Sequence, residues 1–114
     1  MDDVTGIQEG GAQGCRRAWL PFQPELGGRP GFLHGGAIAG FLSELCDEVL
    51  KDRGKPFRSL SSSVQFLRGA REATLFAEAG ALHVGAASAT IQARAWQDSA
   101  DRPVALIVRK YCWT

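Results

Sequence analysis

Arg29-Pro30-Gly31-Phe32-Leu33-His34-Gly35-Gly36-Ala37-Ile38-Ala39-Gly40-Phe41-Leu42-Ser43-Glu44-Leu45-Cys46-Asp47-Glu48 is the stretch whose reading decides the fold. A glycine-rich turn carrying His34 runs directly into the one long helical pattern of the chain, with its start expected at Gly35 or Gly36. At about 100° per residue, Ile38, Leu42, Leu45 and Val49 fall on one face, flanked by Phe41 and Cys46. Ala37–Leu42 contains no polar side chain, so that half is expected to be buried nearly all round. Gly36, Gly40, Ser43 and Asp47 share the opposite face. Gly40 costs about 1 kcal/mol relative to alanine, which predicts a neighbour packed closely against it. Gly54 and Pro56, just past Lys51 and Arg53, stop the helix. The open end of such a helix presents free N–H groups and a positive dipole end to a polarised carbonyl or an anion. A histidine beside that end places the expected chemistry there.

Upstream, Arg16–Pro24 alternates, with Arg17 and Trp19 on one side and Ala18, Leu20 and Phe22 on the other, and reads as a strand stopped by Pro24. Glu25–Gly31 reads as a loop. Residues 1–14 are rich in Gly, Gln and acidic groups and poor in apolar ones. They are expected to form a flexible N-terminal segment ahead of a single domain over 15–114.

Downstream, four segments alternate as strands: Ser59–Leu67, Ala73–Leu82, Ala86–Trp96 and Pro103–Trp113. The first sets Leu60, Val64 and Phe66 against Ser61, Ser63 and Gln65. The third sets Ala87, Ala89, Ile91, Ala93 and Ala95 on one face, small enough for a helix to approach closely. The links Arg68–Glu72, His83–Gly85 and Gln97–Arg102 suit antiparallel hairpins. Strand, helix and four strands give an α+β domain in which an antiparallel sheet wraps one central helix. Trp96, Tyr111 and Trp113 are candidates for the outer sheet face. The exposed edges and face call for association, so a dimer at least is expected.

At 114 residues, with 22% charged residues and a net charge of +1, the composition is that of one globular domain and lacks the basic stripe of a duplex nucleic-acid binder. Cys15, Cys46 and Cys112 are odd in number and widely spaced, with neither a CxxC pair nor a zinc-ligand spacing, as expected of reduced thiols in the cytoplasm. The N-terminus does not read as a signal peptide, and no apolar run is long enough to span a bilayer.

This element order, with Gly31-Phe-Leu-His-Gly-Gly36 opening the helix, resembles the hotdog-fold acyl-CoA thioesterases. The nearest group contains the 4-hydroxybenzoyl-CoA and phenylacetate-pathway thioesterases. Val64-Gln-Phe-Leu-Arg-Gly-Ala70 and the terminal hairpins carry the likeness further, from about Arg16 to the C-terminus. The resemblance implies that the thioester carbonyl sits at the helix N-terminus, polarised by the N–H groups of Gly35 and Gly36. The histidine, His34 here, orients substrate or water. A Ser or Thr on the next strand, here Ser59, holds the attacking water. An Asp or Glu further along the helix, usually contributed across a dimer interface, acts as nucleophile or general base.

That acid normally follows the histidine by nine positions, and position 43 is a serine. Glu44 is the nearest carboxylate but is turned about 100° around the helix, and Asp47 lies one turn beyond Ser43 on the same face. Arg58, Arg68 and Arg71 are candidates to meet the phosphates of coenzyme A. Related enzymes often carry basic residues in the turn that here reads Val84-Gly85-Ala86-Ala87. The resemblance therefore implies an acyl- or aroyl-CoA thioesterase, homodimeric or a dimer of dimers, with coenzyme A as part of the substrate and no separate cofactor. The alternative is a hotdog module that binds an acyl or aromatic ligand without turnover, since Ser43 stands where the acid belongs.

Overall fold

The computed structural model describes residues 5–9, 15–28 and 31–114. One helix, α1 (Gly35–Lys51), lies against a six-stranded antiparallel sheet formed by β1 (Thr5–Glu9), β2 (Arg16–Leu20), β3 (Phe57–Phe66), β4 (Leu75–Val84), β5 (Ser88–Trp96) and β6 (Ala105–Trp113). The strand order is β1-β2-β4-β5-β6-β3, with a 3₁₀ turn at Pro24–Leu26 between β2 and the helix. This is the hotdog arrangement, a sheet curled around one central helix.

The core is what the helical pattern predicts. Ile38, Phe41, Leu42, Leu45, Cys46, Val49 and Leu50 are buried against Ala77, Ala79, Ala89, Ile91, Ala93, Ala95 and Ile107 of the sheet. Alanines at the centre of β4 and β5 keep the sheet surface low, so the large side chains of α1 fill the gap. Ala18 and Leu20 point inward from β2, as their alternation requires.

Four expectations need correction. First, Thr5–Glu9 pairs antiparallel with β2, Thr5 opposite Trp19 and Glu9 opposite Arg16, so part of the expected flexible segment is an edge strand. Backbone pairing with an open strand edge needs no apolar side chains, which is why composition did not reveal it. Positions 1–4, 10–14 and 29–30 lie outside the described residues.

Second, the β3–β6 register shifts between Ser59 and Ser61. The extra residue reverses the alternation there, so Ser59, Ser62, Val64 and Phe66 pair with the helix-facing residues of β6 and Leu60 is left 57% exposed. Third, Tyr111 is buried on the helix side of β6 and not on the outer face. Trp113, also assigned there, packs partly buried against the core with its indole N–H on the Gly85 carbonyl at 2.9 Å. Fourth, nothing among the described residues lies within 4 Å of a Cβ built on Gly40. Gly36 and Gly40 are exposed and Ala37 and Ala39 only partly buried, so the first half of α1 is covered on one side alone.

Candidate active site

The approach to α1 is held by backbone bonds from three directions. The Gly28 N–H donates to the Phe32 carbonyl at 2.9 Å, the Leu33 N–H to Ala70 at 2.8 Å, and the His34 N–H to Leu26 at 2.7 Å. Gly31 turns the chain at φ +88, a backbone region that favours glycine. The segment bearing His34 is therefore clamped between the 3₁₀ turn and the loop that follows β3.

His34 is the N-cap of α1, with extended backbone (φ −71, ψ 131), and its Nδ1 accepts the Gly36 N–H at 2.9 Å. A nitrogen that accepts carries no proton, so the proton of the neutral imidazole sits on Nε2. The cap thus fixes the tautomer and leaves an exposed Nε2–H donor. It also corrects the expectation that Gly35 and Gly36 both offer free donors: the Gly36 N–H is taken by His34. Among the described residues the Gly35 N–H has no partner. A Cβ on Gly36 would meet His34 Cε1 at 2.7 Å, so glycine there lets the ring lie over the helix end.

Phe66, the last residue of β3, stands beside this end. A Cβ on Gly35 would touch its ring at 3.5 Å, yet Phe66 is 54% exposed. The aromatic residue was visible in the sequence, but its position over the helix start was not.

The remaining candidates lie far from His34 along the same chain. Ser43 and Glu44 are nine and ten residues into the helix, about 14 and 15 Å from the cap along its axis, and Asp47 is about 20 Å away. Ser59 is seven residues from Phe66, about 23 Å along β3. Ser43, Glu44 and Ser59 have no side-chain hydrogen bond or ion pair among the described residues. Ser43 and Glu44 are half-buried, whereas Ser59 is exposed.

Asp47 is already engaged. Its Oδ1 accepts from the Tyr111 hydroxyl at 2.6 Å and from Arg109 Nη2 at 3.4 Å. Arg109 also donates from Nε to the Tyr111 oxygen at 2.9 Å and from Nη1 to Ser62 Oγ at 2.7 Å. Burial, reinforced by the bond to Asp47, pushes the Tyr111 hydroxyl well above the usual phenol range. Next to this network, burial pushes the Cys46 thiol up to about 12, which leaves it inert as a nucleophile. Ser62, Arg109 and Tyr111 were not among the sequence candidates, because only the shifted register brings Ser62 opposite Arg109.

The arginine candidates divide. Arg68 and Arg71 follow Phe66 at the helix-start end, where Arg71 pairs with Phe32. Arg58 is at the other end of β3, its Nε 3.2 Å from Cys112 Sγ. Lys55 lies there too, its Nζ 5.6 Å from the Trp113 ring centre, and Trp113 in turn holds the 84–87 turn through Gly85. Two cations thus border the turn that lacks its own.

Among the described residues no helix is long and apolar enough to cross a membrane. A family model described as the thioesterase superfamily matches residues 30–104. Among solved structures, the chain superposes on a hypothetical thioesterase protein of Streptococcus pneumoniae with coenzyme A at a TM-score of 0.85 and 16% identity, covering 99% of this chain and 89% of that one. It superposes on a mutant thioesterase of Pseudomonas aeruginosa at 0.81 and 23% identity, covering 96% and 81%. A phenylacetic acid degradation-related protein of Ralstonia eutropha gives 0.83 at 18% identity, covering 96% and 83%. At these identities the likeness establishes the fold. No curated protein matches the chain.

Proposed function

The chain belongs to the thioesterase superfamily, and on that footing we propose that it hydrolyses an acyl- or aroyl-CoA thioester to the free acid and coenzyme A, as a homodimer or a dimer of dimers in the cytoplasm. The observation that carries the reading is the His34 cap. With Nδ1 on the Gly36 N–H, the Nε2–H and the unpartnered Gly35 N–H are two donors at one helix end, suited to a carbonyl oxygen that becomes an oxyanion. His34 acts here as a donor, since the nitrogen that would accept a proton is occupied.

The base must come from a second copy. On a single chain Glu44 is about 15 Å from the cap, too far for one water to bridge. A two-fold axis beside the middle of β3 and α1 pairs β3 antiparallel with its copy. It brings Ser59, Arg58 and the middle of α1 from one subunit toward His34, Gly35 and Phe66 of the other. The state of this face supports that assembly: β3 is a ten-residue edge strand with Leu60 and Phe66 more than half exposed, beside an α1 face with open space at Gly40. Asp47 is committed to Tyr111 and Arg109, which leaves Glu44 as the available carboxylate.

In this reaction Glu44 takes a proton from a water held by Ser59 as the water oxygen bonds to the carbonyl carbon. The oxyanion accepts from Gly35 and His34. Collapse breaks the C–S bond, and the thiolate leaves and takes up a proton. Arg58, with Lys55 beside the 84–87 turn, is placed to meet phosphates of the coenzyme. The three free cysteines suit a cytoplasmic chain.

Ser43 at the usual acid position favours a second reading, ligand binding without turnover. Thiol release from short, medium and aromatic acyl-CoAs separates the two. Glu44→Gln is expected to lower kcat by about 10²-fold or more, with KM little changed. Wild-type thiol release no faster than spontaneous hydrolysis across the panel would leave the binding module, whereas an active wild type matched by Glu44→Gln would mean that another group is the base.

A further inference from the structure

The alternation of β3 asks for a different register from the one the strand adopts. Without the extra residue, Leu60 would stand opposite Tyr111 on the helix side and Ser59 would face away. Instead the register shifts between Ser59 and Ser61, Ser59 pairs with Tyr111, and Leu60 is left 57% exposed. Leaving a leucine in water forgoes a favourable burial, so other contacts must favour the shifted strand. Two do. Phe57 meets the Tyr111 ring edge-on at 5.5 Å between centres, and Ser62 Oγ accepts from Arg109 Nη1 at 2.7 Å.

Arg109 reaches beyond the strand. Its Nε donates to the Tyr111 oxygen at 2.9 Å, and its Nη2 donates to Asp47 Oδ1 at 3.4 Å. The same Oδ1 accepts the Tyr111 hydroxyl at 2.6 Å. One guanidinium, on a side chain only 15% exposed, thereby joins β3 to α1. The two residues that it joins are neighbours of two in the proposed reaction. Ser62 lies across the bulge from Ser59, and both pair with helix-facing residues of β6. Asp47 follows Glu44 by three positions, one turn along α1. A planar fork with fixed donor directions sets that separation more sharply than a flexible ammonium would. Bulges recur beside reacting groups because one extra residue re-aims a side chain.

We propose that Arg109 is a positioning residue for thioester hydrolysis: through Ser62 and Asp47 it keeps the water-holding Ser59 and the base Glu44 of one subunit in register. The inference rests on the thioesterase reading above. It gives the shifted register a function, since a straight β3 would turn Ser59 away from the helix. In this role Arg109 donates no proton and binds no substrate; it acts on the water only through the residues that hold and activate it.

Arg109→Gln is the direct variant, but it removes a largely buried cation that faces Asp47. Ser62→Ala removes a single exposed hydroxyl and is the decisive one. Thiol release and melting temperature are compared for these two, Ser62→Thr, Ser59→Ala and, as a control opposite Val108, Ser63→Ala. Ser62→Ala is expected to lower kcat about tenfold with KM and melting temperature unchanged, and Arg109→Gln to lose at least as much. Ser62→Thr restores the hydroxyl and recovers kcat, and Ser63→Ala matches wild type. Because Ser62 acts through Ser59, the Ser59→Ala/Ser62→Ala double variant is no slower than Ser59→Ala alone, whereas a merely structural role adds the two losses. With an active wild type, the positioning role is overturned by full activity in Ser62→Ala, in folded Arg109→Gln or in Ser59→Ala, and by additive losses in the double variant. Each of those results leaves the thioesterase reading standing. A wild type that turns over no acyl-CoA removes that reading, and the positioning role with it.

Discussion

His34 caps α1 and, in the proposed reaction, donates to the substrate, and a substitution can separate these roles. Asparagine is among the best N-cap residues and can accept the Gly36 N–H, but it places no donor where the Nε2–H lies. His34→Asn is therefore expected to melt within a degree or two of wild type and to lose about 10²-fold in kcat, while His34→Ala loses the cap as well, at about 1 kcal/mol of stability. Melting curves and thiol release on the two variants check this, and equal activity in His34→Asn and wild type would reduce His34 to a cap. The sequence revealed the histidine, the glycines and the helix start because each is a local signal. It did not reveal that Gly36 spends its N–H on the ring two residues earlier, since that depends on the rotamer of His34.

At the level of elements, α1 and the alanine face of β5 were legible from their periods, because each buries one face against a continuous core. β3 was legible as a strand but not in its facing, because a single extra residue between Ser59 and Ser61 turns Ser62 toward Arg109. The resulting Ser62–Arg109–Tyr111–Asp47 network satisfies a buried hydroxyl and ties β6 and β3 to the second half of α1. It also makes stability depend on alkaline pH. Cys46 is raised from 9.0 to about 12 by burial, and Tyr111 is raised by burial and its bond to Asp47. Both groups keep their protons in the folded chain after the unfolded chain has lost them. Their contribution is full below the unfolded-state values and is lost as pH climbs through the folded ones. Urea midpoints are expected to hold up to pH 9 and to fall steadily between about 9 and 12. Cys46→Ala should start lower, by about 1 kcal/mol for the lost side chain, and decline less steeply across that window. An unchanged slope in Cys46→Ala would place the alkaline sensitivity elsewhere.

For the whole molecule, the single chain separates the parts of the proposed site. His34, Gly35 and Phe66 gather at one end, Glu44 lies in mid-helix, and Ser59 stands at the far end of β3. An uncovered sheet edge was legible in the sequence, and the proposed second copy is argued from the one at β3. The reason for a second copy is a matter of length: a helix rises only 1.5 Å per residue, so no side chain ten positions on can turn back to its own cap. In the proposed assembly each site draws His34 from one subunit and Glu44 from the other, which makes two different defects complementary. In a His34→Ala/Glu44→Gln mixed dimer, one site carries both lesions and the other carries neither. Random reassociation makes about half of the dimers mixed, each with one intact site of two, so two nearly inactive homodimers should recover about a quarter of wild-type activity. The experiment unfolds and refolds the two variants together at equal concentration and compares thiol release with that of each variant refolded alone. Simple addition of the two residual activities, with mixed dimers present by mass spectrometry of differently tagged chains, would mean that each subunit builds its site from its own residues.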